Sequence, residues 1–303
     1  MRTLNKSTLM LFIGILAVST ASIFIRNAQI TLPSTVIAAG RLAFATIILA
    51  PFSAKKAIRD YSELDRSKKI RIMLAGVFLG IHFLVWIRSL EMTSIASSVI
   101  LVTTTPIWVA LLSPLLLKEK VARGVAVGLI VAMLGIVILF WGPSSDSGQQ
   151  LSTQSLSGNL LALCGAWMAA AYTMIGRDVR NAIPLRSYVF MVYGIAAVVA
   201  ILFSIPDLQT IQEFSMEGLF WVLLLALIPQ VIGHTLFNRA VRQMPVVYAS
   251  IALLGEPIGS IILAWLFLAE KPGPFDLAGG IFVIVGILLA FLDKREIADQ
   301  SLE

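Results

Sequence analysis

The amino-acid sequence predicts an all-α membrane protein of ten transmembrane helices, arranged as two five-helix repeats of inverted orientation. Three observations predict it. The composition is too apolar, and too poor in charge, to cover a water-exposed surface. Ten separate apolar runs of about membrane-crossing length follow one another along the chain. The second half repeats the first at a constant offset, after an odd number of runs.

Of 303 residues, 58% are hydrophobic and 13% charged, where a soluble domain has roughly 45–50% and about 25%. Mean hydropathy is +0.91. This excludes a soluble enzyme, and the wealth of apolar side chains excludes a disordered chain. A spanning helix takes about 20 mostly apolar residues, so ten fit the chain and leave about a third of it for loops. In a soluble protein the net charge of +6 and pI of 9.6 would suggest nucleic acid. In a membrane protein basic loops that orient the spans account for it, so the expected partner is the lipid bilayer and not nucleic acid. Cys164 is the single cysteine, which leaves no internal disulfide and no thiolate metal cluster.

In chain order the runs are 8–25, 33–53, 72–90, 95–117, 124–142, 158–176, 186–204, 218–237, 246–268 and 276–292. Helices are the expected form, because backbone groups in lipid must be satisfied within the segment. The first run is taken as a span, since it has an internal counterpart, and not as a cleaved leader. Residues 54–71 are charged and are read as a short interfacial helix. Residues 142–155, rich in Ser, Gly and Gln and without Lys or Arg, are read as a linker between halves.

Basic residues orient the spans. With the N-terminus inside, the cytoplasmic segments hold 19 of the 23 Lys and Arg residues, including Lys55, Lys56, Arg59, Arg66, Lys68, Lys69 and Arg71 between the second and third runs. The outside holds three, Arg26, Arg88 and Lys271, and Arg41 lies within a span. This asymmetry places both termini in the cytoplasm of a multi-pass protein of the cell membrane.

A shift of 151 residues aligns the chain with itself. Gly14 meets Gly165, Arg26 meets Arg177, Arg88 meets Arg239, Pro106 meets Pro257, and Glu119-Lys120 meets Glu270-Lys271. Gly128 meets Gly279, Gly135 meets Gly286, and Phe140 meets Phe291. Shared Leu and Ile carry little weight in apolar helices; shared Pro, Gly, Arg and Glu-Lys carry more. The halves are residues 1–148 and 152–303. Each has five runs, so the second enters the membrane from the opposite side. Inverted repeats are typical of secondary transporters, with a site near the midplane between the repeats.

Several segments resemble the drug/metabolite transporter superfamily, EamA-type branch. They are Gly233-His234-Thr235-Leu236-Phe237-Asn238-Arg239-Ala240-Val241, Gly255-Glu256-Pro257 with Glu270-Lys271, and Ala38-Ala39-Gly40-Arg41-Leu42. Further matches are His82-Phe83, Trp86, Ser89-Leu90, Thr93-Ser94 and Ala96-Ser97-Ser98, then Gly158-Asn159-Leu160-Leu161-Ala162-Leu163, Tyr172 and Gly176-Arg177. The resemblance covers residues 8–292. It implies a ten-helix basket around a central cavity lined chiefly by helices 3, 4, 8 and 9, and a small-molecule cargo such as an amino acid, another metabolite or a drug, often moved outward.

Ionisable residues inside a membrane are functional candidates because burying them is expensive. The eight Asp residues all lie in loops or at helix ends. The candidates are therefore Arg41, His82, His234 and Glu256, with the more terminal Arg88 and Arg239. Arg41 and Glu256 sit at matching depths, which allows a salt bridge; Arg41 could bind a carboxylate, and Glu256 an amine or a coupling proton or ion. His82 and His234 fall one position apart under the repeat and could relay protons. Trp86, Ser89, Thr104, Thr105, Gln230, Asn238, Tyr248 and Ser250 could face the cavity, although Ser and Thr also serve close helix packing. Pro106 and Pro257, at matched positions, are read as gating pivots. No phosphate-cradling Gly-Lys-Ser/Thr loop, nucleophile elbow or zinc-spaced His motif occurs, so no cofactor or metal is expected and the chain is not read as an enzyme. Two functions remain: a secondary transporter of small amphipathic metabolites, exporter or exchanger, working by alternating access, and a non-transporting structural or regulatory membrane protein.

Overall fold

The computed structural model describes residues 2–105, 107–109, 111–112, 123–141, 153–176, 179, 182–209, 211, 215–236 and 255–300. Among these residues every regular element is helical.

Helices α1 (Arg2–Ser19) and α2 (Ala21–Gln29) form one apolar stretch with a break at Thr20. The Ser19 hydroxyl donates to the Ile15 carbonyl (2.8 Å) and the Thr20 hydroxyl to Ala17 (2.7 Å). Such back-bonding competes with the helix ladder and bends helices. Pro33, extended at φ −60° and ψ 146°, precedes α3 (Ser34–Glu63). Asp65 caps α4 (Arg66–Met92) by accepting from the Lys68 backbone N–H at 2.9 Å. The side chain of Lys68 also binds this exposed carboxylate, which holds it below the usual aspartate range.

The charged segment 54–71 departs from its expected form. It is not a separate interfacial helix. α3 runs unbroken to Glu63 and α4 starts three residues later. The i,i+4 pairs Lys56–Asp60 (3.6 Å) and Arg59–Glu63 (3.2 Å) extend α3 beyond its apolar run.

Ser94 caps α5 (Ile95–Val102), whose eight residues are all buried. Then come α6 (Arg123–Trp141), α7 (Thr153–Ile175) and α8 (Leu185–Leu208). α9 (Met216–Leu225), capped by Ser215, widens into a π-helical stretch, Ala226–Gly233. Pro229 lies inside that stretch, and the His234 backbone N–H reaches back to the Pro229 carbonyl. Proline has no N–H to give the ladder, and the extra residue in a wide turn rotates the following side chains about the axis. α10 (Gly255–Leu268) and α11 (Pro274–Gln300) complete the described chain.

Six of these helical stretches are long and apolar enough to cross a membrane, and four shorter apolar helices fall in the remaining runs. Large apolar side chains face outward, among them Phe52, Met216, Phe267 and Leu266. A water-soluble bundle would not carry such a belt, whereas lipid solvates it.

The helices pair across the halves. α3 packs on α8, α4 on α7, and α6 on α11. α2 packs on α9, α1 on the π stretch and α10, and α5 on α7 and α10. Exchanging the two halves maps this set of pairs onto itself. At the α6–α11 crossing, Gly135 lies against Gly279 and Gly286 against Gly128. The small-residue contact lets two backbones approach closely.

Candidate functional site

Among the described residues Arg41 is the largest fully buried side chain, 1% exposed, at the third turn of α3. Its Nε donates to Gln230 Oε1 at 2.7 Å. Gln230, 1% exposed, stands in the π stretch immediately after Pro229. The bond therefore joins the first half to the second through the π turn at Pro229. The guanidinium lies over the Phe83 ring, 4.1 Å from its centroid, with the Trp86 ring at 5.7 Å. Both rings sit on α4, where positions 83 and 86 share a face. Cation–π contact of this kind contributes about 0.5–2 kcal/mol and partly replaces the water that Arg41 has lost.

His82 completes the aromatic group. It stacks on Trp86 at 6.0 Å and meets Phe83 edge-on at 4.7 Å. Its Nδ1 donates to the Gly165 carbonyl of α7 at 2.9 Å. Gly165 is tight against Val102 and Trp86, so a side chain there would push α7 away from the rings. Tyr193 of α8 and Glu256 of α10 are within electrostatic range of Arg41, and His234 is within range of Arg41 and His82.

The structure thus gathers Arg41, His82, Trp86, His234 and Glu256 about one buried guanidinium, but it changes the pairing. Among the described residues no salt bridge joins Arg41 to Glu256; Arg41 pairs with Gln230 instead. The Glu256 backbone carbonyl accepts from Ser19 (3.2 Å), and Ser260 donates to the Ser19 carbonyl (3.1 Å), which ties α10 to the α1–α2 break. Pro257 is buried in the first turn of the described α10. Asn238, Tyr248, Ser250, Arg239 and Pro106 lie outside the described residues. Ser89 and Thr104 serve packing: Ser89 bonds the Trp86 carbonyl (2.6 Å) and Ser98 (2.7 Å), and Thr104 bonds Leu101 (2.6 Å) and receives Trp108 (3.0 Å). Arg88 is half-exposed and pairs with Glu91. Phe83, present only within the His82-Phe83 match, and Tyr193 are not among the site residues expected from the sequence. Phe83, one residue from His82 at helical spacing from Trp86, carried a signal; Tyr193 carried none above an ordinary apolar span.

A second polar network closes one end of the bundle. Arg26 Nη2 donates to the Thr93 carbonyl (2.9 Å) and to Glu270 Oε2 (3.4 Å). Glu270 also accepts from the Ile95 backbone N–H at the start of α5, where a helix N-terminus favours a carboxylate. Asp276, 4% exposed, accepts from Ser97, Ser94 and the Gly273 backbone. Thr93 donates to Asn159 (2.7 Å), which donates in turn to the Leu139 carbonyl (3.2 Å). Ala269, at φ 56°, is the left-handed residue that turns the chain out of α10 and aims Glu270 at this network; the Glu270 N–H returns to the Ala264 carbonyl at 3.3 Å, closing the end of the helix. Arg26 and Glu270 are each repeated in the other half, which was the available signal for this clamp.

Comparison with known proteins follows the same division. The model of the EamA-like transporter family matches residues 5–141 and again residues 156–292. The chain is 24% identical over 299 residues to the pseudopaline exporter CntI of Pseudomonas aeruginosa, covering 96% of this chain and 98% of that one. It is 22% identical to the uncharacterized transporter YxxF of Bacillus subtilis, covering 99% and 94%. It is 26% identical to the uncharacterized transporter sll1164 of Synechocystis over 70% of this chain and 62% of that relative's length. A crystal structure of a protein 16% identical in sequence superposes with a TM-score of 0.64 over 96% of this chain and 98% of its own, so the fold is shared. Two matches to one family model, together spanning nearly the whole of a multi-pass helical membrane protein, show that the chain belongs to the EamA-like transporter family.

Proposed function

We propose that the chain is a secondary transporter, an exporter or exchanger that moves small amphipathic metabolites such as amino acids or drugs across the cell membrane by alternating access. The observation that carries this reading is the buried Arg41 guanidinium, held by side chains from both halves of the chain. A bundle that only supports other proteins has little use for such a charge, whose burial costs several kcal/mol.

Ten spans in two inverted five-helix units, residues 1–148 and 152–303, account for the exchange of helix partners between halves. Rocking one unit against the other opens the Arg41 region to each side in turn. Arg41, His82, Trp86, His234, Asn238, Tyr248 and Glu256 serve cargo binding or coupling, with Glu256 the carrier of a coupling proton or ion. Pro106 and Pro257 shape the gates. In the orientation with both termini cytoplasmic, the Arg26–Glu270 clamp closes the outer face. The exporter named among the relatives favours outward movement.

Proteoliposomes test the reading. Purified protein should mediate saturable, gradient-driven flux of a labelled amino-acid mixture, abolished in protein-free vesicles. Single cysteines in residues 54–71 and 144–155, with Cys164 replaced, should label from opposite sides. Same-side labelling would remove the inverted topology, and absence of flux with any gradient would favour a structural role.

A further inference from the structure

Among the described residues, three buried N–H donors of the cluster around Arg41 have no acceptor in hydrogen-bond geometry: Arg41 Nη1, Gln230 Nε2, whose amide also lies in interaction range of Tyr193, and Trp86 Nε1. Their residues are 1%, 1% and 4% exposed. A buried donor left without an acceptor costs about 1–3 kcal/mol, so three in one cluster are a large standing penalty. Among the described residues, the atoms of Arg41, Gln230 and Trp86 without a partner in hydrogen-bond geometry are all donors.

The geometry fixes where two of the three point. The Arg41 Nε bond holds Gln230 by its oxygen, which leaves the amide nitrogen free of the guanidinium, with Tyr193 in range of the same side chain. The same bond, with the Phe83 ring 4.1 Å from the guanidinium carbon, sets the plane of the guanidinium and leaves its Nη1 edge free. An organic cation would face these donors and the like charge of Arg41, with only the Glu256 carboxylate, within electrostatic range of Arg41, to favour it. A neutral amide would offer one acceptor. A carboxylate offers two oxygens and the opposite charge, and the guanidinium fork matches it in width.

We propose that Arg41, Gln230 and Trp86 form the anchor for a carboxylate group on the transported molecule, with the Phe83 and His82 rings against its organic remainder. This rests on the transporter reading and narrows it: the cargo is an organic acid or a zwitterion, and not a simple organic cation.

The test uses the purified full-length protein in detergent and three probes of one shape: benzoate, benzamide and benzylammonium, with chloride matched for ionic strength. Benzoate should raise the melting temperature with an apparent affinity at least about tenfold better than the other two. Arg41→Met and Gln230→Leu should abolish that preference. Without probe, Arg41→Met should melt at or above the wild-type temperature, because a ligand-binding charge is held at a cost to the empty protein. A preference for benzylammonium, no preference, or a preference surviving in Arg41→Met would overturn the proposal. So would a large loss of stability in Arg41→Met combined with no benzoate effect in the wild type, the pattern of a purely structural arginine. Flux separates the two readings. Benzoate binding without flux of any labelled amino acid would keep the anchor and sink the transporter, and flux that benzoate does not inhibit, with no benzoate binding, would do the reverse.

Discussion

The α6–α11 crossing gives a prediction whose size can be worked from distances. A Cβ built on Gly135 would lie 2.6 Å from the Gly279 carbonyl oxygen and 2.7 Å from the Val283 nitrogen. One built on Gly286 would lie 2.5 Å from both the Gly128 oxygen and the Ala132 nitrogen. These neighbours are backbone and cannot swing aside. Ordinary contact begins at 3.4 Å, so Gly135→Ala or Gly286→Ala must push the helices apart by about 0.8 Å. A gap of roughly 0.5–1 Å forfeits a quarter to a half of each lost contact, and overpacking costs about 1–3 kcal/mol. Better helix propensity returns up to about 1 kcal/mol, which leaves a net loss of about 1–2 kcal/mol for each single variant. The double variant should lose less than the sum, since one separation relieves both sites. Gly194→Ala is the control: its Cβ would meet only Thr46, at 3.7 Å, and stability should hold or rise. Thermal unfolding in detergent, followed by tryptophan fluorescence, reads all four. Equal melting of wild type and both single variants would refute the close crossing. A loss at one glycine and none at its repeat-mate would refute the symmetry argument.

Glu256→Gln keeps shape and removes charge; insertion should be normal and flux at least about tenfold slower, a barrier change of roughly 1.4 kcal/mol, and wild-type flux in proteoliposomes would make Glu256 incidental. Arg26→Ala removes both the Thr93 and Glu270 bonds; accessibility of cysteines along α4 to an external thiol reagent should rise at least about fivefold, and unchanged labelling would exclude a gate. Pro106→Ala and Pro257→Ala should slow turnover and shift two-sided cysteine labelling in opposite directions; shifts in one direction would leave the prolines as packing features. Ala269→Gly relieves a left-handed alanine and should stabilise the protein by about 1 kcal/mol in thermal unfolding, whereas destabilisation would mean the strain lies elsewhere.

The sequence by itself determined that this is a helical membrane protein and where its apolar helices lie. Hydropathy and period are local properties, and lipid demands that each segment satisfy its own backbone. It also singled out Arg41, His82, Trp86 and Glu256, because charge and hydrogen-bonding groups stand out in an apolar run. The outcome at residues 54–71 shows the limit of local reading: charge marks the end of an apolar stretch, but i,i+4 pairs can carry a helix past that end. Pairing was decided by tertiary structure alone. Depth along the membrane made Glu256 the natural partner of Arg41, yet the partner of a buried side chain depends on rotation about each helix axis as well as on depth. The π turn at Pro229 sets that rotation for Gln230, and it is the amide oxygen of Gln230 that meets the guanidinium. The Arg26–Glu270 clamp has the same origin. Its residues lie 244 positions apart, and only the packing of α2 against α4 and α10 brings them within reach of one another.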